Sequence, residues 1–419
     1  MSGPDPAAER ASRAAVRQAA RDSYGRLVAY LSARSRDLAA AEDALADAFE
    51  AALHSWTVSG VPEKPEAWLL TTARRRLIDR ARHDRVREQA LPELLLFADE
   101  AHEVALNEAN FPDERLKLMF VCAHPAIPAE ARAPLMLQTV LGLDAARIAS
   151  AFLVPPSTMG QRLSRVKAKI RATRMTFDVP EVKELPERIG AVLDAIYVAY
   201  GSGWEDVAGA DDGRLGLADE AIVLARLLLR LLPHPETQGL LALMLHCESR
   251  RAARRDPSGD YVPLSQQDVG LWSLPMIYDA ERLLAAALEV GPIGRYQLEA
   301  AIQSAHSRRA RAGRTDWHAI VLLYEGLGRI APTVGASVAH AAAVAETRGA
   351  EAAWKVLAPL PQEAVQTYQP YWALAAHLHA LAGEFARSDM AYDRAIGLSG
   401  DSAIRRYLLR SRASVRGGR

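Results

Sequence analysis

The chain has 419 residues, 50% of them hydrophobic, and its 51 Lys and Arg balance 51 Asp and Glu. That length exceeds one ordinary core, so about two to four domains are expected, and no apolar run approaches the roughly 20 residues of a membrane-spanning helix. Two cysteines, Cys122 and Cys247, exclude a disulfide framework and fit a reducing cytoplasm.

The first ten residues contain no apolar stretch, so a frayed leader is expected there rather than a signal peptide. From Asp37 to Trp56 the spacing predicts an amphipathic helix. Leu38, Leu45, Phe49, Leu53 and Trp56 share one face, and Asp43, Asp47 and Glu50 form an acidic face elsewhere. A polar loop over Thr57–Pro65, with two prolines and a glycine, leads to a second helical pattern over Glu66–Arg85. Here Trp68, Ala73, Leu77 and Ala81 are expected inward. Arg74, Arg75, Arg76, Arg80, Arg82, Arg85 and Arg87 crowd the rest against only Asp79 and Asp84. Residues 10–88 thus read as one helical domain and residues 89–113 as an acidic linker.

Residues 114–175 form the next domain. Its first half, Glu114–Leu143, supports a helix, tight turn and helix over Asp144–Arg174. Ile148, Ala149 and Phe152 lie on one face of the first helix. Val154, Pro155 and Pro156 force an extended turn, because a residue before proline is pushed out of the helical region. Ser157 or Thr158 is expected to cap the second helix. Met159, Leu163, Val166 and Ile170 then make its core stripe. The other face carries Gln161, Arg162, Arg165, Lys167, Lys169, Arg171 and Arg174, with no acid between Asp144 and Asp178. This is the layout of a helix-turn-helix whose second helix enters a DNA major groove, although a solvated basic face fits the same pattern.

Pro180 and Pro186 mark the following boundary, and the periodicity beyond them is helical almost throughout. Residues 186–290 form an extension domain containing a charged loop, Arg250–Tyr261, expected to be solvated. Residues 291–415 read as helix pairs of tetratricopeptide type. In the unit Trp372–Ala395, Trp372, Gly383, Tyr392 and Ala395 hold the large, turn and small positions, and Trp317–Arg348 is a weaker unit turning at Pro332. Such stacked pairs form a concave array suited to a peptide or protein ligand.

The acidic helix, the loop and Trp68-Leu-Leu-x-x-Ala-Arg-x-x-x-Ile-Asp-x-x-Arg resemble region two of a bacterial sigma factor of the extracytoplasmic-function type. The helix-turn-helix resembles region four of the same family. The downstream half is similar to a subgroup with a long C-terminal extension. The chain departs from the usual pattern at Ala46, where relatives commonly have glutamine, and at Arg75, where many carry asparagine.

The resemblance implies an all-α fold: two small helical sigma domains followed by a C-terminal α-helical, tetratricopeptide-like array. It implies core RNA polymerase and promoter DNA as partners. Glu42, Asp43, Asp47 and Glu50 would dock on core polymerase. Trp68, Arg74, Arg75, Arg76, Arg80 and Arg82 would hold the proximal promoter element as it opens. Ser157, Thr158, Gln161, Arg162, Arg165 and Lys167 would meet the distal element, where Arg pairs with guanine and Gln with adenine.

No phosphate loop, metalloprotease helix or nucleophile elbow occurs, so no catalytic residue, metal or cofactor is expected and the chain is not expected to be an enzyme. Two rival readings fit the same residues. One is a helix-turn-helix activator with a tetratricopeptide sensor that works without polymerase docking. The other is a scaffold with two solvated basic faces.

Overall fold

The structure, a computed structural model, describes residues 6–83, 113–152, 154–175, 177–181, 183–204 and 212–417. The fold is all-α. Among the described residues the only β-type pairing is an isolated bridge between Arg255 and Tyr261, and no helix is long and apolar enough to cross a membrane. The linker expected over 89–113 lies almost wholly outside the described residues. The chain divides into two compact units, Met1–Trp204 with Gly213–Leu224, and Glu205–Asp212 with Ala225–Arg419.

The first unit is built on α1 (Pro6–Ser35), α2 (Leu38–Ser59) and α3 (Pro65–His83). The Asp37 carboxylate caps α2 by accepting from the Ala40 amide at 3.1 Å. Leu38, Leu45 and Trp56 are buried as the periodicity predicts, but Leu53 is 40% exposed. Its expected place is taken by a seam of small residues, Ala41, Ala44, Ala48 and Ala52, which lets the neighbouring helices approach closely. The predicted loop starts late, because α2 continues to Ser59. There the Thr57 and Ser59 hydroxyls donate back to the carbonyls of Leu53 and Ser55. Trp56 meets Trp68 edge-on at 5.5 Å and ties the end of α2 to the start of α3.

Next come α4 (Arg115–Cys122), α5 (Ala129–Leu141), α6 (Ala145–Ala151) and α7 (Pro156–Ala172). Helices α4 and α5 pack on α1. Gly25 permits this: a Cβ there would fall 1.7 Å from the Val140 carbonyl oxygen. The α6–turn–α7 unit follows the predicted pattern, with Met159, Leu163, Val166 and Ile170 buried. The cap does not. Helix α7 begins at Pro156 with Pro155 before it and no side-chain cap. Proline is suited to the first helical position because the amide it lacks would have no partner anyway. Ser157 and Thr158 therefore lie exposed in the first turn. Helix α8 (Leu185–Trp204) packs against α4 and α5, and Arg188 donates to the Phe120 carbonyl at 2.8 Å. Helix α9 spans Asp212–Leu231.

In the second unit, α10 (Pro235–Glu248) is buried nearly all round by α11 (Leu274–Leu288) and α12 (Arg295–Ser307). Its Glu236 carboxylate accepts from the Tyr296 and Gln297 amides at 3.0 and 3.1 Å, satisfying the start of α12. The short α13 (Arg309–Ala312) leads to α14 (Trp317–Ile330) and α15 (Val334–Leu357), which pack together, α15 being broken at Gly349. After α16 (Gln362–Gln366), α17 (Gln369–Leu381) and α18 (Phe385–Leu398) pair across Gly383, whose φ of +74° suits glycine, and α19 (Ser402–Gly417) closes the stack.

The expectation of a solvated loop at Arg250–Tyr261 is corrected. Arg250 is 6% exposed, Arg255 pairs with Asp401 at 2.9 Å, and Asp260 pairs with Arg406 and Arg410 of α19. A run of charges reads as solvated only while the countercharges, about 150 residues away, are out of sight.

Candidate nucleic-acid interface

Two exposed basic surfaces survive in the first unit. On α3, Arg75 and Arg76 are exposed. On α7, Ser157, Thr158, Gln161 and Arg165 are exposed and Arg162 half-buried along one side of the helix. Helix α7 contains no acidic residue, so its charge toward solvent is positive.

The remaining predicted residues are placed differently. Arg74 points into the core and is 5% exposed, so it does not belong to the α3 surface. Trp68 is half-buried against Trp56 and serves packing. The side chain of Arg82 lies outside the described residues. Arg80 reaches across to α2, donating to Asp43 at 3.1 Å and Asp47 at 3.0 Å. The acidic face of α2 is thus partly neutralised from within, leaving Glu50 exposed beside it.

Glu42 and Lys167 need a larger correction. Neither belongs to an open surface. The Lys167 ammonium lies 2.6 Å from the Glu42 carboxylate, and both side chains are largely buried. One turn further along α7, Arg171 pairs with Asp37 at 3.0 Å, where the aspartate is also the α2 cap. Helix α7 is therefore fastened along one flank to α2, the helix carrying the predicted polymerase-docking face. Tyr24 on α1 also donates to Glu42. Cys122, hydrogen-bonded to Thr139 at 3.3 Å, is fully buried nearby, and burial pushes its thiol up to about 12. No local pattern could have revealed the Lys167–Glu42 and Arg171–Asp37 pairings, because each joins residues from distant parts of the unit.

Burial raises the Glu42 carboxyl above its ordinary value of 4.5, against the lowering effect of Lys167. A carboxyl raised in the folded state binds its proton more tightly there than in the unfolded chain. Its contribution is fully present below the ordinary value and is lost as pH rises through the raised one. The unfolding midpoint of the wild type relative to Glu42→Gln is therefore expected to fall as pH rises through that window. A pH-independent difference, measured by circular dichroism, would contradict this.

The sigma-70 region 2 family matches residues 20–87, which hold α2, α3 and the second half of α1. A family of unknown function (DUF6596) matches residues 188–288. An uncharacterized protein of Rhizobium meliloti (strain 1021) is 39% identical over 379 residues, covering 89% of this chain and 89% of that protein. No solved structure matches.

Proposed function

Because the chain belongs to the family of that Rhizobium protein and carries a sigma-70 region 2, it is a sigma-70 family protein, and from this premise we propose that it is a promoter-selecting initiation factor of the extracytoplasmic-function type. Members of the sigma-70 family are non-enzymatic, so its chemistry is binding. Asp43, Asp47 and Glu50 on α2 dock on a basic surface of core RNA polymerase. Arg75 and Arg76 on α3 hold the backbone of the proximal promoter element as it opens. Helices α6 and α7 act as the helix-turn-helix, with Gln161, Arg162 and Arg165 reading the distal element. Work beside core polymerase places the protein in the cytoplasm.

The observation carrying this reading is the coexistence of the matched region two with a second helix, α7, that exposes Gln161 and Arg165, with Arg162 half-buried between them, and no acid. A plain activator has no use for the first surface, and a scaffold has no use for either. The tie between α7 and α2 supports a closed resting form. Lys167 and Arg171 are engaged by Glu42 and Asp37, so one flank of the reading helix is occupied until the two regions part. The C-terminal helix pairs, including the unit turning at Gly383, fit a tetratricopeptide-like array able to hold a peptide or protein ligand.

Arg162→Ala or Arg165→Ala is expected to weaken binding to the cognate promoter by about 1–3 kcal/mol if the side chain reads a base. A phosphate contact would weaken all sequences alike and lower the salt slope. Electrophoretic binding assays on cognate and scrambled duplexes check this, and unchanged affinity in both variants would remove α7 from the interface.

A further inference from the structure

The second unit contains a cavity of about 190 Å³ whose walls include Trp272, Trp317, His306, Arg309, Thr315 and Glu346. Trp272 lies within the segment matched to the family of unknown function, and the other five lie beyond it. None of them is used by the polymerase and promoter surfaces.

Two guanidinium groups flank the Trp272 ring, Arg309 at 5.1 Å from its centroid and Arg250 at 5.9 Å. Arg309 donates to the carbonyls of Ser265 and Gln267 at 2.5 and 2.6 Å. Arg250 donates through Nη2 to the Gln303 side chain at 2.5 Å, and its buried Nη1 has no acceptor. Neither guanidinium has a carboxylate within salt-bridge distance among the described residues, unlike Arg251 and Arg255 close by in sequence. The Trp272 indole N–H is also buried without an acceptor, in a residue 4% exposed.

Buried cations normally have partners, and burying a charge without one is costly. Here the buried Arg250 has no carboxylate partner among the described residues, and the half-buried Arg309 beside it is engaged only by backbone carbonyls, its pKa lowered by burial and by the Arg250 charge. Burial and both arginines hold the His306 pKa down to about 4, so its ring is neutral at pH 7 and supplies no further charge. Two guanidinium groups with no carboxylate in salt-bridge distance among the described residues, a spare indole donor and an adjoining cavity together define a receptor for an anion. Glu346 in the wall opposes a doubly charged group. The Trp317 indole offers an apolar surface to the rest of the ligand. The volume is below the roughly 300–1,000 Å³ of pockets that take drug-sized ligands, so the occupant is small.

We infer that this cavity binds a small monocarboxylate with an apolar or aromatic body. The carboxylate is held at the Arg309 and Trp272 end, and the body lies against Trp317. Binding joins the segment of the family of unknown function to the helices that follow it, giving the extension a small-molecule input.

The test is isothermal titration of the full-length protein with acetate, benzoate, phenylacetate and indole-3-acetate at up to millimolar concentration. Benzyl alcohol serves as the neutral counterpart of benzoate and inorganic phosphate as the alternative anion. At least one aromatic carboxylate should bind saturably and raise the melting midpoint, with benzyl alcohol at least about tenfold weaker, a difference of ~1.4 kcal/mol. Arg309→Gln should remove that binding. If that variant does not fold, Thr315→Trp, which fills the cavity from a half-buried wall position, should do the same. Silence of all four carboxylates would overturn the inference. Equal binding of benzyl alcohol, or tighter binding of phosphate, would overturn the monocarboxylate assignment.

Discussion

Asp43→Lys combined with Asp47→Lys should abolish co-elution with core RNA polymerase while leaving the helical circular dichroism spectrum intact. Both carboxylates are solvent-accessible on α2, with 67% and 38% of their side chains exposed, so reversal leaves the buried alanine seam untouched. Like charges brought face to face cost several kcal/mol, and each 1.4 kcal/mol is tenfold in affinity, so a loss of about a hundredfold or more is expected. Arg80 complicates the experiment usefully. It binds both carboxylates, and the double reversal sets it beside two new cations. Arg80→Ala is the control. It breaks the same intramolecular contacts without reversing the face and should leave polymerase binding at least as strong. If Arg80→Ala weakens binding as much as the double reversal does, the α2–α3 contact matters and the acidic face does not.

The second large effect concerns the tie between α2 and α7. Removing one member of a buried ion pair typically costs about 3–5 kcal/mol, because its partner is left charged and dry. Lys167→Glu adds repulsion to that loss, so the closed arrangement should open. Promoter binding at limiting protein should then rise by roughly tenfold or more, since ~1.4 kcal/mol withdrawn from closure is worth a factor of ten. Glu42→Lys combined with Lys167→Glu restores opposite charges across the same gap and should return binding toward the wild-type level. This cycle distinguishes the tie from a direct DNA role for Lys167. A lysine that grips phosphate would give weaker binding in Lys167→Glu, and the swap would not rescue it.

These placements show what could be read in the residues and what could not. Helix positions were legible because they are local. Asp37 before an apolar stripe, Pro65 after a polar loop and the Pro155-Pro156 pair each act within a few residues of themselves, and all three mark helix starts. The stripe Met159, Leu163, Val166 and Ile170 was legible for the same reason. The exposed polar residues of α7, such as Gln161 and Arg165, followed from it, being what the stripe leaves outside. The fate of individual charges was not legible. Arg74 sits beside Arg75 and Arg76 in an unbroken basic run, yet one helical step of about 100° turns it into the core. Lys167 and Glu42 look equally solvent-facing on their own helices, and only the packing of α7 on α2 buries them together. The C-terminal cavity was invisible for the same reason, because Arg250 and Arg309 meet at Trp272 from separate segments.

The central claim is tested most directly by run-off transcription in vitro with purified core RNA polymerase on promoter-bearing templates. The full-length protein should direct initiation from a defined start that core polymerase alone does not use. Asp43→Lys with Asp47→Lys should silence that start, and Lys167→Glu should raise its use at limiting protein. A protein that binds the same duplexes equally well without core polymerase and never redirects its start site would contradict the claim.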